Sequence, residues 1–262
     1  MDGAMRARVV EYYDAYDELG RLERDNAHRI EFLTTVSYFD KLIKPGSTVL
    51  DVCAGTGAYA FYLAAKGCEV TACDLSPHNV DIIKAHPRAH TLTDILVCDA
   101  LDLSRFAAAS YDTVLCMGAL YHLKGASDKT KAIGQCVRVT KRDGLVALTY
   151  INKFAIAVWM VNADLSNMDE IERYGEATHE DVFQYSAPGE IRAMAERCGL
   201  ETLYNIGADG MTYALGGRVN NASEENFARW MEYHLATCEE PSILGASVHG
   251  LYIGKRKGGH RA

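Results

Sequence analysis

Thr48-Val-Leu-Asp-Val-Cys-Ala-Gly-Thr-Gly57 is a short apolar run broken by Asp51 and followed by a loop that ends on two glycines. Such a run predicts a buried strand that delivers an acid and a flexible turn to one point. Gly55 and Gly57 lack a Cβ, so they can take positive φ and let the backbone approach a ligand closely. The run from Ala58 to Ala65 has helix-forming character, and the N–H groups of its first turn would point into the same space. Strand, glycine turn and helix start together read as a nucleotide-cofactor site, although short turns of this kind also occur for structural reasons alone.

Outward from this stretch, apolar runs with β-branched content recur at Thr48–Cys53, Glu69–Asp74, Ile95–Cys98, Thr113–Met117 and Leu145–Ile151. Helical patterns lie between them, notably Ala58–Lys66, Asn79–Lys84 and Lys129–Thr140. The alternation predicts an α/β fold with a doubly wound, mostly parallel sheet, which binds its ligand at the carboxyl ends of the strands. Met5–Leu42 is helical in pattern and rich in Tyr and charge, and Pro45 and Gly46 end it. Past the fifth strand the alternation fails. Residues 152–186 read as an irregular insertion, apolar around Trp159 and acidic from Asp164 to Asp181. A helix at Pro188–Cys198, a strand at Glu201–Ile206, a second insertion at 208–246 and a last strand at Ser247–Gly254 complete the chain, the ending resembling an antiparallel addition to the sheet edge.

At 262 residues and 48% apolar composition, the chain can bury one sizeable core and is read as a single domain. It divides into an N-terminal helical cap (1–44), a cofactor-binding core (45–151), two lid insertions (152–186 and 208–246) and the end of the sheet (187–207 and 247–262). A net charge of −8 and short basic stretches argue against a nucleic-acid partner, whose affinity is built from clustered Lys and Arg. The eight cysteines form no CxxC pair, so metal-type spacing is absent, and those in apolar runs behave as small hydrophobes. With no signal peptide and no apolar run of roughly 18 residues, a reducing cytoplasm and no membrane partner are expected.

The strand ends narrow the cofactor. Asp74 closes the second strand seventeen positions after Gly57, where a carboxylate can accept both hydroxyls of a ribose. A NAD site needs the same acid, and Gly55-Thr-Gly-Ala-Tyr-Ala60 satisfies the GxGxxA form of the dinucleotide fingerprint, so these features alone do not decide. Asp51 does more, because a buried anion ahead of the glycines serves a pyrophosphate poorly and a cationic ligand well. Asp99, at the end of the third strand, can accept from an adenine amine, and donors for two phosphates are few. Acids at three strand ends without a phosphate clamp describe an adenosine carrying positive charge.

On these residues the chain resembles the class I S-adenosylmethionine-dependent methyltransferases. The resemblance covers roughly residues 45–151 and, through the Arg138-Val-Thr-Lys-Arg-Asp-Gly144 turn, the rest of the sheet. It implies a seven-stranded, Rossmann-like fold with an antiparallel last strand, and S-adenosylmethionine as cofactor. Asp51, Cys53, Ala54, Gly55 and Gly57 would form the cofactor loop, and Asp74 with Leu75 would hold the ribose. Asp99 with Ala100 would read adenine, and the Met117 and Gly118 carbonyls would accept from the amino group. Tyr16 on the N-terminal helix would close over the cofactor carboxylate. Cys53 departs from the family, which usually has glycine there.

His122 follows the fourth strand, near where the methyl should lie, and is the candidate general base; it could equally pack beneath the cap. His179 and His249 have weaker claims. Arg21, Arg24 and Arg29 could serve a carboxylate substrate or pair with nearby acids. No Asn/Asp-Pro-Pro-Tyr/Phe run follows the fourth strand, and Met-Gly-Ala-Leu stands there instead. The expected function is transfer of a sulfonium methyl to an O, N or S nucleophile of a small molecule. A cofactor-binding protein without turnover and a NAD-dependent oxidoreductase are the alternatives, and a homodimer stays open.

Overall fold

The computed structural model describes residues 3–16, 18–169 and 182–258. Its sheet has seven strands: β1 (Thr48–Asp51), β2 (Glu69–Asp74), β3 (Asp94–Val97), β4 (Tyr111–Cys116), β5 (Thr140–Ile151), β6 (Leu200–Gly207) and β7 (His249–Arg256). Their order is β3-β2-β1-β4-β5-β7-β6. The pairs among β1 to β5 are parallel, and β7 runs antiparallel to both β5 and β6. This is the doubly wound sheet that the alternation predicts, with the antiparallel last strand that the resemblance implies. The order reverses between β1 and β4, so the crevice for a ligand lies above those two strands.

Strand residues alternate between faces, and each face has its own core. Leu50, Val114, Cys116 and Leu148 pack with Ile133 and Cys136 of α5 (Gly125–Val139) and Ile191 of α7 (Pro188–Arg197). On the other face, Val49, Val70, Leu115 and Ala147 pack with Phe39 of α2 (Asn26–Leu42) and with Phe61 and Leu63 of α3 (Ala58–Ala65). Covering on both faces explains why the strands read as continuous apolar runs. Between them, α4 (Pro77–Ala85) starts on Ser76, whose side chain accepts from the Asn79 N–H.

Several boundaries differ from expectation. Met5–Leu42 is two helices, α1 (Gly3–Ala15) and α2, separated by a 3₁₀ turn at Arg21–Glu23. Gly20 at φ 73° permits the break, and Asp25 restarts the helix by accepting from the His28 N–H. Strand β5 begins at Thr140, ahead of the expected Leu145. Pairing steps from Tyr111↔Thr140 to Thr113↔Leu145, and Asp143 sits at φ 61°, so the polar Lys-Arg-Asp-Gly run is a bulge within the strand and not a turn before it. The first insertion opens with α6 (Lys153–Ala163); its acidic stretch 170–181, with His179, lies outside the described residues. The second insertion holds α8 (Gly217–Asn220), α9 (Glu224–Thr237) and α10 (Pro241–Ala246). Cys73 and Cys98, expected as free thiols, are disulfide-bonded across the ends of β2 and β3. Among the described residues, no helix is long and apolar enough to cross a membrane.

Gly57 starts α3 at φ 93°, and a Cβ there would lie 2.7 Å from the Phe61 ring and 3.3 Å from Ile83. Phe61 is buried and stacks on His86 at 4.1 Å, which leaves it little room to yield. Gly57→Ala is expected to lose about 1–3 kcal/mol of stability, read as a lower urea midpoint; an unchanged midpoint would show that the turn bears no such constraint.

Candidate active site

A cavity of about 630 Å³ lies over the carboxyl ends of β1 to β4. Beneath it, Asp51 ends β1 with only 1% of its surface exposed; no side chain pairs with its carboxylate, and the Cys53 N–H close by gives it only weak support. Burial, with Asp74 and Cys116 nearby, pushes its pKa up to about 8. Cys53, Ala54 and Gly55 follow it along the cavity wall. The loop is pinned by Ala54 N–H donating to the Cys73 carbonyl at 3.0 Å and Gly57 N–H to the Ala54 carbonyl at 2.8 Å. Gly57 itself lies behind this wall, turning the chain into α3.

The other strand ends converge on the same space. Asp74 accepts from the Gly55 N–H at 2.8 Å, the Ser76 N–H at 2.9 Å and the Asn79 side chain at 3.3 Å. It therefore ties the glycine loop to β2, and burial raises its pKa against the pull of those donors. Asp74 and Leu75 line the cavity, as do Asp99 and Ala100 beyond β3. Asp99 is not free in this arrangement: the Leu101 N–H donates to it at 2.8 Å and Arg6 of α1 forms an ion pair with it. Met117 and Gly118 line the cavity beyond β4.

Cys53 has a physical account. Among the described residues, the only non-glycine positions with positive φ are Ala109 and Asp143, so position 53 does not demand glycine. A Cβ on Gly118 would lie 3.3 Å from the Cys53 Cβ. The missing side chain at 118 makes room for the one at 53.

The resemblance would bring Tyr16 over the cofactor carboxylate. Tyr16 does not line the cavity; it stacks on Tyr12 at 5.5 Å and accepts from Arg24 at 3.3 Å. Tyr13 lines it instead, because α1 ends at Ala15 and the chain turns away before Tyr16. Glu18 and Arg21 also line the cavity. Arg21 donates to Glu18 at 3.0 Å and to both oxygens of Glu31 at 3.0 and 3.2 Å. Burial alone would raise the Glu31 pKa, but Arg21 and His249 hold it at about 2. Arg29 pairs with Asn26 and Glu224. Of the three arginines flagged in the sequence, only Arg21 reaches the cavity, and no local pattern distinguishes it.

His122 lines the cavity and is buried. Its Nδ1 lies 2.9 Å from the Val182 carbonyl and its Nε2 2.9 Å from the Tyr13 hydroxyl. A carbonyl only accepts, so Nδ1 carries the proton and the neutral ring keeps its lone pair on Nε2. Burial lowers its pKa to about 4, which keeps the ring neutral at physiological pH. His249 does not line the cavity and pairs with Asp209 at 2.6 Å.

These residues fit a sulfonium-bearing nucleoside. The buried Asp51 oxygens, with no side-chain partner, favour a cation above them, while the glycine turn leaves room for close backbone approach. Without that cation, Asp51 has a folded pKa of about 8 against an ordinary 3.8. Its contribution to stability is then complete below about pH 4 and lost as pH rises through 8. Asp51→Asn should stabilise the cofactor-free protein by an increment that grows between pH 5 and 8.5 to a few kcal/mol, on the order set by the shift, as read by urea denaturation. By calorimetry the same variant should bind S-adenosylmethionine at least about tenfold more weakly, roughly 1.4 kcal/mol. An increment that stays flat with pH would contradict the buried, unpaired carboxyl.

Comparison with known proteins agrees with this fold. The methyltransferase domain family matches residues 50–148, the span from β1 to β5. A ubiquinone biosynthesis O-methyltransferase of Xanthomonas euvesicatoria pv. vesicatoria is 28% identical over 191 residues, covering 72% of this chain and 75% of the relative. One from Hydrogenovibrio crunogenus is 27% identical over 203 residues, covering 76% and 78%. Among solved structures, a putative methyltransferase from Haloferax volcanii, in complex with the Trm112 activator, shares the fold with a TM-score of 0.63 at 20% identity, covering 97% of this chain and 100% of its own. The sheet order, the matched domain and these relatives support a class I S-adenosylmethionine-dependent methyltransferase.

Proposed function

We propose that this enzyme methylates a phenolic hydroxyl of a small molecule, with His122 as the proton acceptor. The observation that carries the reading is the neutral, buried imidazole of His122 at the β4 end of the cofactor cavity. S-adenosylmethionine, when bound, supplies an electrophilic methyl on a sulfonium whose leaving group departs neutral. The protein's own task is then to hold both partners in line, exclude water and take a proton from the acceptor.

Asp51, Asp74, Gly55, Met117 and Gly118 would hold the cofactor, with Asp99 and Ala100 at its adenine end. The acceptor would lie against an aromatic wall in which the His122 ring stands 5.4 Å from Tyr13, 4.8 Å from Tyr121 and 5.1 Å from Phe183. Flat rings suit such a wall. A protonated amine would favour an unpaired carboxylate beside it, whereas Glu18 and Glu31 are both engaged by Arg21. A thiol ionises readily and needs a base least. Oxygen as the acceptor atom also accords with the relatives' being O-methyltransferases. The net charge of −8 supports a small molecule over nucleic acid, and we read the chain as one domain in which the N-terminal helices close the cavity of the core.

The test is methyl transfer from S-adenosylmethionine to catechol, an alkylamine and an alkanethiol, followed by mass spectrometry. Methylated catechol is expected; methylation of the amine or thiol alone would overturn the oxygen assignment. His122→Ala should lower kcat on catechol by about 10²- to 10⁴-fold with S-adenosylmethionine affinity retained, and wild-type turnover would remove His122 from the chemistry.

A further inference from the structure

We infer that Tyr13 is the residue that meets the acceptor, and that it relays the acceptor's proton to His122. The inference deepens the proposed function and rests on it, since it adds a catalytic residue to the same proton path.

The two ring nitrogens of His122 have different partners. Nδ1 is committed to the Val182 carbonyl at 2.9 Å and cannot accept a proton. Nε2 holds the lone pair, but the Tyr13 hydroxyl covers it at 2.9 Å and must be the donor in that contact. An acceptor in the cavity would have to displace the phenol to reach Nε2 directly. The Tyr13 ring is held where it is, edge-on to His122 at 5.4 Å and edge-on to Tyr12 at 5.3 Å. Once its proton points at Nε2, the Tyr13 oxygen retains lone pairs that can accept from a ligand. Both residues line the cavity.

Tyr13 is unsuited to be the base itself. Burial raises its pKa well above the ordinary phenol value, and Tyr121, Glu18 and Asp74 push the same way against Arg21. It stays protonated, so it conducts a proton and does not store one. His122 is neutral and takes the proton only as the reaction proceeds.

The step balances as follows. The acceptor oxygen forms a bond to the methyl carbon while the C–S bond breaks, its electron pair remaining on sulfur as a neutral thioether. The acceptor's O–H proton passes to Tyr13 Oη, and the original Tyr13 proton passes to His122 Nε2. Positive charge thus leaves the sulfonium and ends on the imidazolium, which the buried site disfavours and later releases to solvent.

Two measurements test the relay. Nitrogen-15 NMR of the intact wild-type protein at pH 7 should show His122 as the Nδ1–H tautomer. Tyr13→Phe should leave that proton in place and move Nε2 toward the resonance of a bare lone pair. With catechol as the probe acceptor, Tyr13→Phe should lower kcat about 10²-fold and leave S-adenosylmethionine affinity within about twofold. His122→Gln should do the same, and the double variant should be no worse than either alone, since residues acting as one unit are not additive. An Nε2–H tautomer in the wild type overturns the relay whatever the variants do, because Tyr13 would then be accepting. Full turnover by Tyr13→Phe with loss in His122→Gln overturns the relay and leaves His122 as a direct base; full turnover in both removes the base as well.

Discussion

Strand β1 carries Asp51 into the middle of the sheet, between β2 and β4, and leaves its carboxylate buried without a charged or side-chain partner. Removing an ionised carboxylate from water without a partner is among the costliest arrangements a fold can hold. The carboxyl responds by keeping its proton, with its pKa raised to about 8. A cation placed above it reverses that balance, because an opposite charge close by favours the ionised form. The glycine loop is what allows such close placement. Asp74 in turn fixes the loop, accepting from Gly55 at 2.8 Å, so that a local cost at the centre of the sheet is converted into affinity for one kind of ligand.

The N-terminal helices complete the enclosure unevenly. At the adenine end the cover is held by Arg6 and Asp99, and Arg6 is half exposed at 51%, so screening leaves that contact weak. Asp14 meets Ser76 at 3.4 Å, again a modest contact. At the other end Arg21 joins Glu18 and Glu31, and Glu31 is buried at 6% exposure. Removing one partner from such a buried network leaves an uncompensated charge, which costs far more than loss of a surface pair. The cover is therefore anchored beside the proposed acceptor wall and loosely attached over the adenine.

Features written in local pattern were legible in the sequence. Strand β2 has the bounds its apolar run predicts, and Asp51, Asp74, Asp99, Met117 and Gly118 lie at strand ends because a parallel sheet sends all its carboxyl ends to one edge. What escaped depends on distant parts of the chain. Tyr13 and Tyr16 share one helical segment, and which faces the cavity is settled by where α1 stops. Arg21, Arg24 and Arg29 look alike in sequence, yet only Arg21 finds Glu31. Cys73 lies on β2 and Cys98 just past β3, segments that only the sheet brings together. The bulge in β5 is equally hidden, since its polar residues read as a turn until the pairing with β4 is known.

The histidines show why environment, and not position alone, must assign the base. His122 and His249 both stand at the carboxyl edge of the sheet. Burial lowers the pKa of each, but at His249 the Glu31 and Asp209 carboxylates more than offset it and raise the pKa above its ordinary value. A histidine so paired favours its charged form, and a charged imidazole has no lone pair to offer. At His122 no carboxylate intervenes, and the pKa falls to about 4. That ring is neutral across the physiological range, at the cost of being a weak base at rest. The weakness is tolerable if the proton moves as the sulfonium charge disappears, since the cavity then exchanges one cation for another and never holds two. The same residue type thus yields an ion-paired strut beside β7 and, in the proposed reaction, a proton acceptor beyond β4.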